Sequence, residues 1–390
     1  MRRTAVCWLL AAASGVLHEH PAIQYATRPT TDRVAKLSDA IARGARTLPR
    51  DARTGYLRPL LDALGVPVES QLLVFSKTGV QRALVSPQRP RALFFDESVA
   101  VGYVPDAPVL EIAAHDPQQG VVFYTIDQSA ASPIITRRTT CLTCHVSAST
   151  LDVPGMLSRS VAVGDEGSVL PQLGSNDVDH RTPHPDRWGG YFVTSEHAPI
   201  GYNQRAHAGN ITFSGTGNTS NQVFVDWNNS APEARGYLSA SSDIVALMVF
   251  DHQMHAINLI TRLNWESRAG AAETTIRRLE GELADYLLFA GEVPPSVAST
   301  PNASFASRLE SKAPRDHLGR SCAQLDGSNR LMRYPCSYMI YSEAFDGLPP
   351  AVKQAVYQRM LDVLSTDSPR ARAVVEILRE TKADFPTSLR

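Results

Sequence analysis

A series of five short apolar runs between residues 71 and 127 constrains the fold more than any other feature of this sequence. The runs are QLLVFS, RALFFD, VAVGYV, VLEIAAHD and GVVFYTID, and clusters of Pro, Gly, Asp and Gln separate them. Short runs rich in Val, Phe, Tyr and Ile with such breaks are typical of successive strands. Because HDPQQG joins the last two runs, the sequence predicts that residues 109–116 and 121–127 form a hairpin.

Helical patterns flank this β-rich segment on both sides. The stretch TTDRVAKLSDAIARG offers a Thr cap, an apolar stripe through Val34, Leu37 and Ile41, and Gly44 as a stop. After residue 240, the stretch SSDIVALMVFDHQMHAINLITRLNWESR is apolar on nearly every face, which predicts a buried helix capped by one of its two leading serines. Three further amphipathic stretches follow, and the last of them begins at Ser368 and Pro369.

These patterns together predict an α+β fold. Residues 1–17 are expected to be a signal peptide, residues 18–238 a β-rich N-terminal lobe, and residues 239–390 a mainly helical C-terminal lobe packed on it. Two more strands are predicted in VPGMLSRSVAVGD and RWGGYFVTS, with the loop LGSNDVDHRTPHPD between them. Residues 201–222 read as a long polar loop.

The first residues, MRRTAVCWLLAAASGVLHEH, have the features of a secretory signal. Arg2 and Arg3 form a basic start, a short apolar run follows, and small residues supply a cleavage site. We therefore expect a periplasmic protein that has no membrane span once the signal is removed. Basic and acidic residues nearly cancel, 38 against 39, so the sequence has no electrostatic footprint for nucleic acid.

The stretch RRTTCLTCHVSAST carries the chemistry, because it holds Cys141, Cys144 and His145 in a C-x-x-C-H motif. In a helical turn, positions i, i+3 and i+4 lie on one face, so two thiols and an imidazole can address the same flat group. This pattern is that of c-type haem attachment, with the cysteines bonded to the vinyl groups and the histidine ligating iron. The residue frequencies of this chain would produce the pattern by chance in about two such sequences per thousand. We expect one covalent haem c.

Two other interpretations of the motif need parts that the sequence does not supply. A structural zinc site usually has a second closely spaced pair of ligands, whereas Cys322 and Cys336 are far apart in sequence. A thioredoxin-like pair opens a helix within a βαβ unit, and VSASTLDVPG is a poor helix. The pairing of Cys322 with Cys336 stays open from the sequence, and the exported location favours a disulfide.

The ligand on the far side of the iron is predicted from the buried helix. Histidines on such an apolar helix are costly unless something accepts or coordinates them, and His252 is the preferred ligand. The further candidates for this ligand, in order of preference, are His255, Met248 and Met156. His180 and His184 are interpreted as loop histidines because prolines interrupt their spacing.

A haem also carries two propionates, and arginine is the usual partner because its fork matches a carboxylate. Arg187 is the predicted propionate partner. It precedes a Trp and two glycines in RWGGYFV, where a flat ligand could approach the backbone.

Several segments also resemble a known family. They include SQLLVFSKTGVQ, RALFFDESVAVGYV, RRTTCLTCH, DHRTPHPDRWGGYFVTS, DHQMHAINLITR and RYPCSYMIYSEAFDGLP. Together they are similar to bacterial exported mono-haem proteins of the cytochrome c domain-containing type, over about residues 55–382. The resemblance implies a periplasmic haem protein in which Cys141, Cys144 and His145 are the matching positions. It implies no particular reaction.

The sequence favours a periplasmic mono-haem cytochrome that exchanges electrons with a redox partner protein. One alternative is a haem-dependent oxidoreductase or peroxidase-like enzyme with an open or displaceable sixth iron position. Another is a haem-based sensor or a subunit of a larger redox complex. The sequence leaves the reduction potential, the substrate or partner, and the oligomeric state open.

Overall fold

The structure is a computed structural model that describes residues 17–164, 166–193, 206–208, 224–225, 236–239, 241–294, 302–326, 328–366 and 368–387. The predicted signal peptide therefore lies outside the described residues except for Leu17. The predicted polar loop at 201–222 also lies outside them, apart from Ala206–Ala208.

Eleven strands and nine α-helices are found in the described residues. The strands are β1 Leu72–Val74, β2 Arg91–Phe95, β3 Val99–Tyr103, β4 Val109–Asp116, β5 Gly120–Asp127, β6 Ile135–Arg137, β7 Arg159–Val161, β8 Ser175–Asp177, β9 Tyr191–Val193, β10 Ala206–Ala208 and β11 Phe224–Val225. The helices are α1 Arg33–Ala42, α2 Leu57–Leu64, α3 Leu142–His145, α4 Ile244–Ala269, α5 Glu273–Leu287, α6 Ala303–Lys312, α7 Glu343–Asp346, α8 Pro350–Leu364 and α9 Pro369–Thr381.

Nine of the strands form one antiparallel sheet. Their order is β11, β10, β9, β1, β2, β3, β4, β5, β6, so a run of sequential hairpins is extended at one side by strands that come later in the chain. The predicted hairpin is confirmed as β4 and β5, which pair from Val109 with Asp127 to Asp116 with Gly120. Strands β7 and β8 form a separate two-stranded sheet.

Each face of the large sheet is covered by helices. Successive side chains on a strand point to opposite faces, so Leu72 and Phe123 pack with α4 and the C-terminal helices in one core. Leu73 and Val122 point the other way and pack with Leu60 of α2 in a second core. The α+β class with a β-rich N-terminal lobe is confirmed, and a sheet between two helical layers is its architecture.

Helix α4 is the long helix that the sequence predicts, and it lies in the core between the sheet and α5. Within the described residues it alone is long and apolar enough to cross a membrane, and most of it is buried inside the protein. Its N-cap is Asp243, whose carboxylate accepts the Val245 and Ala246 amides, rather than either of the predicted serines. The predicted break is confirmed at Gly270, which is left-handed.

Two smaller expectations need correction. The predicted loop LGSNDVDHRTPHPD contains strand β8, which pairs with β7 through Arg159 and Asp177. The disulfide favoured by the exported location is not formed here, since Cys322 and Cys336 are both free thiols. Both are buried and lie in contact, and that contact raises the pKa of Cys336.

Candidate functional site

The C-x-x-C-H motif forms one compact turn on the surface of the sheet. A short 3-10 helix ending at Cys141 continues directly into α3, which contains Cys144 and His145. Cys141 is half-buried, Cys144 is exposed, and both are free thiols. The helical spacing predicts that both sulfurs and the imidazole lie on one side of this turn.

His145 is fixed by a hydrogen bond to the backbone. Its Nδ1 lies 2.9 Å from the carbonyl oxygen of Gly155, and because a carbonyl only accepts, Nδ1 carries the proton. Its Nε2 has no hydrogen-bond partner among the described residues. Burial is the main cause that lowers the pKa of His145, so the ring is neutral and Nε2 presents a lone pair. A neutral imidazole held in this way is suited to bind a metal through Nε2.

The segment around Gly155 is held against the motif from two sides. The amide of Gly155 donates to the carbonyl of His145 at 3.0 Å, which makes the contact between these residues reciprocal. Asn258 of α4 accepts the amide of Met156 at 3.3 Å and donates to its carbonyl at 2.9 Å. The imidazole also packs on Phe123 of β5, with 4.6 Å between ring centroids. The sequence analysis missed Gly155 and Asn258, because only the fold brings these residues together.

The Cys141 thiol does not have the lowered pKa of a reactive redox cysteine. Burial raises the pKa of Cys141, and the nearby carboxylate of Glu111 raises it further. A nucleophilic cysteine needs the opposite shift, toward the thiolate. Among the described residues there is also no group of three or more His, Cys, Asp or Glu side chains arranged to hold a metal ion. The residues present fit covalent haem better than either other interpretation.

His252 lies elsewhere, in a buried hydrogen-bonded chain. His180 donates from Nε2 to the carbonyl of Ala290 at 3.3 Å, so its Nδ1 accepts from Nδ1 of His252 at 2.9 Å. Nε2 of His252 then accepts the hydroxyl of Ser337 at 2.6 Å, and the ring stacks on Phe289. Both nitrogens of His252 are therefore occupied, and we do not assign it as the iron ligand. His180 lies in a turn, as expected of a loop histidine, and its side chain is buried.

The other predicted far-side ligands are held by contacts of their own. Nε2 of His255 lies 3.3 Å from Arg181. Met248 and Met156 are buried in the same core, and Met156 is held through its backbone by Asn258. Within the described residues, none of these side chains shares a described contact with His145.

Arg187 does not point toward the motif either. It is only 2% exposed, and it donates to the carbonyl oxygens of Thr182 at 2.7 Å and His180 at 3.0 Å. Burial lowers the pKa of Arg187, although Asp251 lies near enough to oppose that shift. Arg187 therefore holds its own loop together, and we do not assign it to a propionate.

The residue after Arg187 shows why RWGGYFV is so constrained. Trp188 has a left-handed backbone, with φ of 63°, and its indole N–H donates to Asp251 at 2.9 Å. Asp251 is fully buried, also accepts the hydroxyl of Ser158, and has a pKa raised to about 6 by that burial. This buried cluster links the loop to α4, and its role is to hold the two together.

Comparisons with models of protein families, with curated proteins and with solved structures found no match. The assignment of a function therefore depends on the residues themselves, and the family resemblance stays a prediction.

Proposed function

We propose that the chain is an exported c-type cytochrome that holds one haem covalently through Cys141 and Cys144 and transfers electrons. The observation that supports this most is the geometry of a single turn. It carries two free thiols and an imidazole whose Nδ1 is tied to Gly155 while Nε2 has no partner among the described residues. Two thiols and a following histidine are the groups by which a C-x-x-C-H motif attaches haem.

In this proposal each thiol would add across one vinyl group of the haem. The sulfur would form a bond to one vinyl carbon and the thiol hydrogen would go to the other carbon, so nothing would be oxidised or reduced and no group would leave. The reaction requires both cysteines to be reduced, and Cys141 and Cys144 are free thiols here. The raised pKa of Cys141 keeps that thiol protonated until attachment.

His145 would bind the iron through Nε2. The hydrogen bond from Nδ1 to Gly155 fixes the orientation of the ring and increases the basicity of Nε2. The haem, once bound, supplies the chemistry of a one-electron couple between two oxidation states of iron. The chain contributes the attachment, the ligand and the surroundings that set the potential.

An open sixth position of the iron is the second candidate, and one observation favours it. His252, the preferred ligand on the far side, uses both ring nitrogens in hydrogen bonds to His180 and Ser337. An iron with one protein ligand can bind or turn over a small molecule, as in haem oxidoreductases. A low-spin six-coordinate spectrum in both oxidation states would exclude this candidate and favour electron transfer.

The location and partner follow from the same proposal. Haem is attached to such motifs outside the cytoplasm, and the first residues of the chain have the pattern of an export signal. The protein is then periplasmic and exchanges electrons with a redox partner protein. A sensor or a subunit of a larger redox complex would instead be recovered with a stable partner after gentle purification.

The experiment is expression with its own signal in cells that carry a haem-attachment system, followed by mass spectrometry and absorption spectroscopy. We expect the exported protein to gain the mass of one haem and to show the spectrum of a c-type cytochrome. Cys141→Ser and Cys144→Ser should each lose one thioether bond and give much less coloured protein.

The matched control is Cys322→Ser, which removes a thiol that lies outside the motif. It should keep a full complement of haem, because Cys322 is not in the C-x-x-C-H turn. A colourless exported protein with only the mass of its amino acids would overturn the proposed function.

A further inference from the structure

A chain of hydrogen bonds runs from helix α4 to the imidazole of His145 through a single peptide group, the one between Gly155 and Met156. The carbonyl of this group accepts Nδ1–H of His145 at 2.9 Å, and its N–H donates to Oδ1 of Asn258 at 3.3 Å. In a trans peptide group the N–H and the C=O point in opposite directions within one plane. The bond to Asn258 therefore fixes the direction of the carbonyl that holds His145.

The side chain of Asn258 is itself held in place. It is only 1% exposed, and its Nδ2 donates to the carbonyl of Met156 at 2.9 Å. Asn258 thus bonds both the N–H and the C=O of one residue. A buried amide without partners costs about 1–3 kcal/mol, so these two bonds keep the side chain on the backbone of Met156.

Helix α4 holds the other end of the same loop through Arg262. Arg262 follows Asn258 by four residues, which places both on one face of the helix. Its NH1 group donates to the carbonyl of Leu151 at 2.7 Å. Leu151 and Asp152 are both left-handed, with φ of 57° each, and such a backbone persists only where its surroundings hold it. Residues 151–156 are therefore fixed to α4 at both ends.

The chain of hydrogen bonds has an electronic effect as well as a geometric one. A carbonyl becomes a stronger acceptor when the N–H of its own peptide group donates to a third group, because each bond polarises the next. The bond to Asn258 therefore strengthens the bond between the Gly155 carbonyl and His145. A stronger bond at Nδ1 increases the basicity of Nε2, and a more basic ligand favours the more positive oxidised iron.

We propose that Asn258 is a positioning residue for the iron ligand, which acts through the peptide group of Gly155 and Met156 to orient His145 and to lower the reduction potential of the iron. The proposal rests on the proposed function, since it concerns the haem that the motif would attach. Asn258 acts from the interior of α4, through hydrogen bonds to the backbone of the loop.

The test measures the midpoint potential of the purified haem protein in the wild type and in Asn258→Leu. Leucine has a similar volume and can make neither hydrogen bond. We expect Asn258→Leu to shift the reduction equilibrium about three- to tenfold toward the reduced form, or about 28–59 mV for one electron. Hydrogen exchange at the Gly155 amide, which donates to the His145 carbonyl, should be faster in this variant because the loop is released.

Asn264→Leu is the matched control. Asn264 is also buried on α4, and its Nδ2 also donates to backbone carbonyls, those of Pro117 at 3.3 Å and Gly347 at 2.9 Å. These carbonyls lie outside the loop that holds His145. Asn264→Leu should destabilise the protein to a similar extent and shift the reduction equilibrium less than twofold.

Equal shifts in Asn258→Leu and Asn264→Leu would overturn the proposal, because they would reflect only a general loosening of α4. An unchanged potential in Asn258→Leu would overturn it as well. If Asn258→Leu does not fold, Asn258→Ala removes the same two bonds with a smaller side chain, and a wild-type potential in that variant would count against the proposal in the same way. A wild-type protein without haem would instead refute the proposed function.

Discussion

Gly155 is the residue on which the position of the imidazole depends most directly. Its carbonyl holds Nδ1 of His145, and its amide donates back to the His145 carbonyl. A Cβ added at Gly155 would lie 2.2 Å from Oδ1 of Asn258, so the site has no room for any side chain here. The requirement is steric, since Asn258 needs that space to bond the backbone of Met156.

Gly155→Ala should therefore destabilise the protein by about 1–3 kcal/mol, because the added methyl group displaces Asn258 or the chain beside His145. The measurement is urea unfolding followed by circular dichroism. Gly281→Ala is the matched control, since Gly281 lies within α5 and has open space around its Cβ position. It should stabilise the protein by about 0.5–1 kcal/mol through helix propensity. Equal effects of the two variants would contradict the close contact with Asn258.

The residues of the motif could be predicted from the sequence, whereas the residues that hold the motif in place could not. The spacing of Cys141, Cys144 and His145 is local, so a single helical turn determines which way they point. Asn258 is 103 residues after Gly155, and only the fold brings the two residues together. No local pattern distinguishes Asn258 from an ordinary polar residue.

Helix α4 illustrates the same limit at the scale of an element. Its existence, its buried position and its end at Gly270 follow from the sequence. Which neighbour each histidine faces does not follow, because a helix that is apolar all around gives no amphipathic face to orient it. The sequence therefore predicted His252 as an iron ligand, whereas in the structure its side chain contacts α5 and Ser337. The hairpin β4–β5 was easier to predict, because the alternation of inward and outward side chains and a short turn fix its register.

His252→Ala should leave the haem spectrum unchanged in both oxidation states, because both ring nitrogens are used within the protein. It should lower the free energy of unfolding by about 2–4 kcal/mol, since it opens a cavity and leaves His180 and Ser337 without their partner. His145→Ala is the comparison that should change the spectrum. A loss of the low-spin spectrum in His252→Ala would show that His252 ligates the iron and that our reading of α4 is wrong.

At the scale of the whole molecule, the sheet separates two cores, and ionisable groups are buried on the side that carries α4. His115, His180 and His252 lie there with Asp251, all at most 5% exposed. Burial lowers the pKa of His115 to about 4 and that of His180 to about 4, and it lowers that of His252 well below its usual value. These histidines are therefore neutral in the folded protein, and they bind protons at their ordinary pKa once the chain unfolds.

The sign of the resulting pH dependence can be worked out from these shifts. Between pH 6.5 and about 4 the unfolded chain binds protons on these histidines and the folded protein does not, so stability falls as the pH falls. Asp251 works in the opposite direction between about 4 and 6, because burial raises its pKa to about 6 and the folded state holds the proton more tightly. Three histidines outweigh one carboxyl group, and we expect a net loss of stability in acid.

His115→Gln tests this at one site, since His115 is buried and its Nδ1 has no partner among the described residues. Removing one titrating group should reduce the loss of stability between pH 6 and 4.5 by up to about 1.4 kcal/mol per pH unit. The measurement is urea unfolding of the purified protein at a series of pH values. His317→Gln is the matched control, because the His317 side chain is 68% exposed and paired with Glu380 on the surface. If His115→Gln kept the wild-type slope while His317→Gln reduced it, the acid sensitivity would come from surface ion pairs, and the buried histidines would have no part in it.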